Sequence, residues 1–156
     1  MEFTQCIDTA KGPLLITAND EGVTAVAFLD KTPESVCPNA ITQEASRQLA
    51  AYFSKKLQVF DLPLTPNGTE FQQQVWHALL HVPYGETASY LDIAKAVGNP
   101  KGVRAVGMAN GRNPIAIIVP CHRIIGSNKT LTGYAGGLER KQYLLNLEGA
   151  QGVLWQ

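Results

Sequence analysis

A chain of 156 residues is long enough for one medium domain or two small ones, and 45% hydrophobic against 17% charged residues excludes a disordered polypeptide. The formal net charge of zero hides an asymmetry: residues 1–70 carry five Lys/Arg against nine Asp/Glu, a net −4, and residues 71–156 carry eight against four, a net +4. A polyanionic partner is therefore expected on the C-terminal half.

The longest apolar run, Ile115 to Val119, is too short to span a bilayer. The start, Met1-Glu2-Phe3-Thr4-Gln5, has neither the basic nor the apolar region of a secretion signal. Cys6, Cys37 and Cys121 are an odd number with no C-x-x-C pair, which fits a reducing compartment. A soluble, cytoplasmic protein without membrane association is expected.

The first thirty residues read as a β-meander: Phe3 to Ile7, Leu14 to Thr17 and Val23 to Leu29 are separated by the turn-formers Lys11-Gly12-Pro13 and Asn19-Asp20-Glu21-Gly22. Thr32 to Pro38 is a loop. Ile41, Ala45, Leu49, Tyr52 and Phe53 recur at helical spacing and predict a helix over Ile41 to Ser54, with one more strand over Leu57 to Leu62. Two prolines and a glycine in Leu62 to Gly68 mark a linker, giving an N-terminal domain of 1–65 and a C-terminal domain of 69–156.

Beyond the linker, Thr69 with Gln72 makes a capping-box signature for a helix that Pro83 and Gly85 end. Ser89 with Asp92 caps a short helix, Tyr90 to Val97. After Gly98-Asn99-Pro100 another helix runs from Lys101 to Ala109, and the pair reads as a helix-turn-helix. Ile115 to Val119 reads as a buried strand ended by Pro120. A loop, Gly126 to Gly137, leads to a last helix, Leu138 to Leu147. The fold class expected is α+β: a small N-terminal β-sheet domain with a helix, then a mostly helical domain.

Cys121 stands out by its setting. A thiol attacks as thiolate, and an adjacent histidine or cation can shift its protonation; His122 and Arg123 follow directly. A buried structural cysteine is the competing reading. His77 and His81 stand four apart on one predicted helix, as a metal pair would, but no further Cys/His cluster accompanies them and no metal is assigned.

The segment Asn113-Pro114-Ile115-Ala116-Ile117-Ile118-Val119-Pro120-Cys121-His122-Arg123 resembles the active-site signature of the O6-alkylguanine-DNA alkyltransferases, the methylated-DNA–protein-cysteine methyltransferases. Arg104-Ala105-Val106-Gly107 is similar to that family's recognition-helix motif. Gly133-Tyr134-Ala135-Gly136-Gly137 and Leu144-Leu145-Asn146-Leu147-Glu148-Gly149 are similar to its C-terminal signatures. The likeness is close over residues 69–150 and general over residues 1–65.

That resemblance implies a suicide repair protein, acting as a monomer without cofactor, that takes an alkyl group from O6-alkylguanine in double-stranded DNA onto Cys121. Binding would be through the minor groove, with the damaged base flipped out. Catalytic roles fall to Cys121 as acceptor, to His122 and Glu148 as a water-linked proton relay that depresses the thiol pKa, and to Asn113 as the holder of the turn before the active-site strand. Since side chains alternate along a strand, the chain must bend after Pro120 or use a water for His122 to assist. Tyr90 would lie beside the flipped nucleotide, Arg104 would fill the vacated stack, and Tyr134 would wall the pocket. Backbone groups near Ala135, Cys121 and Val119 would read the base edge, and Arg123 is placed with the DNA-binding residues. Ala135 stands where many members have serine, and Asn110 and Gly111 replace bulkier or basic residues. Two other classes stay open: a non-catalytic binder of alkylated DNA, which would not need Cys121, and a cysteine hydrolase, which would pair Cys121 with a distant histidine.

Overall fold

The computed structural model describes residues 1–150. The chain is α+β and divides into two compact units, the second beginning at Gly68. In the first, β1 (Phe3–Thr9), β2 (Gly12–Ala18) and β3 (Val23–Phe28) form an antiparallel meander in the order β1-β2-β3. Thr9 pairs with Gly12 across a two-residue loop, and Gly12 takes φ 112°, a conformation that suits glycine. In the next turn the Asn19 side chain accepts from the amides of Glu21 and Gly22 at 2.8 and 2.9 Å. Leu14, Ile16 and Ala18 alternate into the core, where Ala45, Leu49 and Tyr52 of α1 (Ala40–Phe53) are also buried. Asn39 and Thr42 cap α1 reciprocally at 2.8 and 2.9 Å.

The strand expected over Leu57 to Leu62 does not form. The Gln48 side chain takes the place of a neighbouring strand, accepting from the Asp61 amide and donating to the Asp61 carbonyl, each at 2.9 Å. An isolated parallel bridge, Val23 with Leu64, follows instead.

The second unit holds α2 (Glu70–Leu79), α3 (Tyr90–Ala96), α4 (Val103–Gly111) and α5 (Leu138–Leu147). Two short strands, β4 (Ala88–Ser89) and β5 (Ile124–Ile125), pair in parallel. The expected capping boxes, Thr69 with Gln72 and Ser89 with Asp92, are both present. Helix α4 packs on α2 and α3, and the buried Trp76 indole of α2 donates to the Ala109 carbonyl of α4 at 2.8 Å. Among the described residues no helix is long and apolar enough to cross a membrane.

Three expectations need correction. Helix α2 stops at Leu79, before Pro83, because Leu80, His81 and Val82 bond back three residues instead of four. The link between α3 and α4 spans six residues: Asn99 to Gly102 closes a turn with Pro100 at its second position, and the helix starts only at Val103. Ile115 to Val119 is buried but is not a strand. The Ile118 amide bonds the Ala116 carbonyl at 2.8 Å, a γ-turn that holds Ile117 at φ 72°. That conformation is an outlier for a β-branched residue and costs about 1–3 kcal/mol.

Candidate active site

The approach to Cys121 is built from turns. Asn113 organises them: its side-chain oxygen accepts from the Ile115 amide at 3.0 Å, and its Nδ2 donates to the carbonyls of Val119 at 2.8 Å and Ile115 at 3.3 Å. Proline 120, at φ −83° and ψ 62°, makes an inverse γ-turn in which the Cys121 amide bonds the Val119 carbonyl at 2.8 Å. A 3-10 turn, Cys121–Arg123, begins there. The chain therefore does bend after Pro120, and Cys121 and His122 share one helical turn.

Behind the cysteine lies a buried charged cluster. His122 Nε2 stands 2.7 Å from Glu148 Oε2. Arg123 grips the same carboxylate through Nε and Nη2, both at 2.9 Å, and its Nη1 donates to the Val82 carbonyl at 2.7 Å. The Gly85 amide adds a longer bond to Glu148 Oε1 at 3.3 Å. Burial alone would raise the Glu148 carboxyl, but the hydrogen bonds and charges of His122 and Arg123 hold it well below the usual range. Burial pushes the His122 imidazole down, with Glu148 pulling the other way. The consistent state is an ionised Glu148 beside a neutral imidazole. A carboxylate only accepts, so the imidazole proton sits on Nε2 and Nδ1 is left as an acceptor. Nδ1 is buried and has no hydrogen-bond partner.

Arg123 is thereby removed from the DNA-binding residues. The residue is 6% exposed, and Nε, Nη1 and Nη2 each donate within the protein, to Glu148 and Val82, so it fixes the carboxylate from a buried position.

The Cys121 thiol opens on a cavity of about 390 Å³ lined by Tyr90, Gly107, Asn110, Tyr134 and Ala135 among others. Its pKa is not depressed. Burial pushes the thiol up, against a hydrogen bond from Asn113 and the charge of Lys141. At neutral pH the thiol is therefore held in its protonated form. Tyr90 opens α3 and its hydroxyl lies 2.7 Å from Thr132 Oγ1 on the loop that carries Tyr134. The Tyr134 hydroxyl is buried without a partner, and burial raises it well above the usual tyrosine value. Arg104 stands exposed on α4 and does not line the cavity. The Val119 carbonyl, expected to read a base, already accepts from Asn113 Nδ2 and the Cys121 amide, which uses both its lone pairs.

Sequence reasoning missed Lys141. Its ammonium is buried, bonds the Ile124 carbonyl at 2.5 Å and lies 3.4 and 3.3 Å from Thr132 Oγ1 and the Gly133 carbonyl; burial lowers its pKa to about 8. A signal was present, since Lys141, Leu144, Leu145 and Glu148 fall at i, i+3, i+4 and i+7 on one face of α5.

Comparison with known proteins agrees over both units. The profile described as 6-O-methylguanine DNA methyltransferase, DNA binding domain, matches residues 70–150, and the ribonuclease-like domain of the same description matches residues 3–66. A methylated-DNA–protein-cysteine methyltransferase of Methanosarcina acetivorans is 55% identical over 145 residues, covering 89% of this chain and 93% of that protein. The crystal structure of Mycobacterium tuberculosis O6-methylguanine methyltransferase superposes with TM-score 0.86 at 47% identity, covering 96% of this chain and 93% of that one. The M. tuberculosis protein in complex with DNA gives TM-score 0.86 at 48% identity, with 94% and 92% covered. With both halves matched in order and this degree of identity, the chain belongs to the 6-O-methylguanine DNA methyltransferase family.

Proposed function

We propose that this protein repairs DNA by moving the alkyl group of an O6-alkylguanine irreversibly onto Sγ of Cys121, once per molecule. The observation that carries the reading is a single cysteine at the wall of a cavity, backed by a buried imidazole whose free nitrogen can take a proton. About 390 Å³ falls within the roughly 300–1,000 Å³ of small-molecule sites, so an extruded base is a reasonable occupant.

The step is a displacement. The thiol proton leaves toward His122 Nδ1, directly or through a water, while Glu148 and Arg123 hold the ring and stabilise the imidazolium that forms. Sγ attacks the alkyl carbon, the carbon–O6 bond breaks with its electron pair staying on O6, and the base returns to its keto form as N1 takes up a proton that balances the one His122 received from the thiol. The products are a thioether and an ordinary guanine. Water does not reopen a thioether, so no second turnover follows, and no cofactor enters the balance.

DNA would lie against α4, which presents Arg104 to solvent, with Arg112 exposed just past its end. With α3 it would act as a helix-turn-helix in the minor groove, Arg104 filling the gap left by the flipped base, Tyr90 beside the nucleotide and Tyr134 against it. The protein would do this as a monomer in the cytoplasm. The test is stoichiometry: with excess duplex carrying one O6-methylguanine, repair should stop at one lesion per protein, and Cys121→Ser should bind the duplex yet transfer nothing. Continued turnover, or transfer by the serine variant, contradicts the reading.

A further inference from the structure

His77 lies in the last turn of α2 and His81 in the turn that follows, and both are exposed. With Gln74, Ala78, Ala96 and Val97 they line a cavity of about 420 Å³ that is separate from the one holding the thiol. They are the only histidines of the chain besides the buried His122. Their ring centroids stand 5.2 Å apart. In a tetrahedral site the nitrogen-to-metal distance is about 2.0–2.1 Å, and with each centroid about 1.2 Å behind its nitrogen two such imidazoles have centroids about 5.2 Å apart.

An edge-to-face ring contact covers the same distance, and the tautomer is what favours an ion. His81 Nδ1 lies 3.2 Å from the His77 carbonyl; a carbonyl only accepts, so Nδ1 carries the proton and Nε2 of the neutral ring presents its lone pair. A backbone carbonyl on the second ring nitrogen is the usual outer support of a metal-binding histidine. Among the described residues no hydrogen bond engages His81 Nε2 or either ring nitrogen of His77. The pair also stands at the C-terminal end of α2, where the helix dipole favours a cation. We propose that His77 and His81 together bind one zinc ion, a metal that suits imidazole ligands and tetrahedral spacing. Among the described residues no group of three His, Cys, Asp or Glu converges, so water completes the coordination. The ion clips the turn that continues into Val82 and Gly85, whose carbonyl and amide hold Arg123 and Glu148. It stabilises the fold there without entering the transfer reaction.

The test titrates the full chain with zinc chloride by calorimetry, as a Cys37→Ser reference that lacks the exposed thiol and in the same background with His77→Ala or His81→Ala. The reference should bind one zinc ion at this pair. Loss of an outer partner already costs about 10–100-fold in metal affinity, so loss of a ligand should weaken binding at least about tenfold in each alanine variant. Saturating zinc should raise the thermal midpoint of the reference and leave both variants unchanged at the same concentration. Neither histidine lines the cavity of Cys121, so with EDTA present all three proteins should repair an O6-methylguanine duplex at the same rate, which shows that the variants are folded. No zinc binding by the reference, or binding that keeps the reference affinity in either variant, overturns the proposal and leaves the alkyl-transfer reading untouched.

Discussion

Cys121 is legible in the sequence because its neighbours in the chain are also its chemistry: Pro120 bends the backbone, and His122 follows in the same turn. Its protonation is not legible, since that depends on burial and on Lys141, twenty residues away in sequence. With burial raising the thiol and Lys141 opposing it, Lys141→Met should raise the thiol pKa further and slow transfer at neutral pH. The alkylation rate of Cys121 by iodoacetamide against pH reads this directly, and the wild-type midpoint should lie above the ordinary thiol value of about 8.5. An unchanged midpoint in the variant would remove Lys141 from the account. Glu148 has a structural role beside its proposed part in the proton relay, because His122, Arg123 and the Gly85 amide all bond it. Glu148→Gln leaves Arg123 buried and under-compensated and should cost about 3–5 kcal/mol in denaturant unfolding. The pH dependence has a definite sign. The folded carboxyl titrates below its unfolded value of about 4.3, so its contribution is present above that pH and fades as pH falls further. The glutamine variant should lose less stability than the wild type on acidification.

At the level of elements, α1 could be read from apolar spacing and α2 and α3 from their capping residues, because those signals are local and the helices use them as written. The run Ile115 to Val119 could not. Its β-branched residues favour a strand, and the actual turns exist because Asn113 bonds three backbone groups and the packed surroundings hold Ile117 at positive φ. The Gln48 side chain overrides local preference in the same way beside Asp61. Helix α4 is the element assigned to DNA, and its exposed Arg104 does not reach the cavity lining. Arg104→Ala should therefore slow repair of a lesion in duplex far more than reaction with free O6-benzylguanine, which needs no base extrusion. Equal losses on the two substrates would place Arg104 in the chemistry instead.

Over the whole molecule, the second unit, which carries Cys121, has eight Lys/Arg against five Asp/Glu, a net +3. If phosphate contacts dominate, affinity for duplex should fall linearly in logarithm with salt and vary little with sequence; a salt-independent affinity would contradict that placement. The second unit begins at Gly68, the last residue of the stretch Leu62 to Gly68 with its two prolines, whereas the buried Arg123–Glu148–His122 cluster, joining residues 25 and 26 apart, requires the fold. The proposed repair reaction converges on one sulfur atom. After reaction with a duplex carrying a single O6-methylguanine, trypsin should release the peptide Asn113–Arg123 bearing one methyl group on Cys121, with Cys6 and Cys37 unmodified. A methyl group found on either of those cysteines, or an unmodified Cys121 after the lesion has been repaired, would contradict the account.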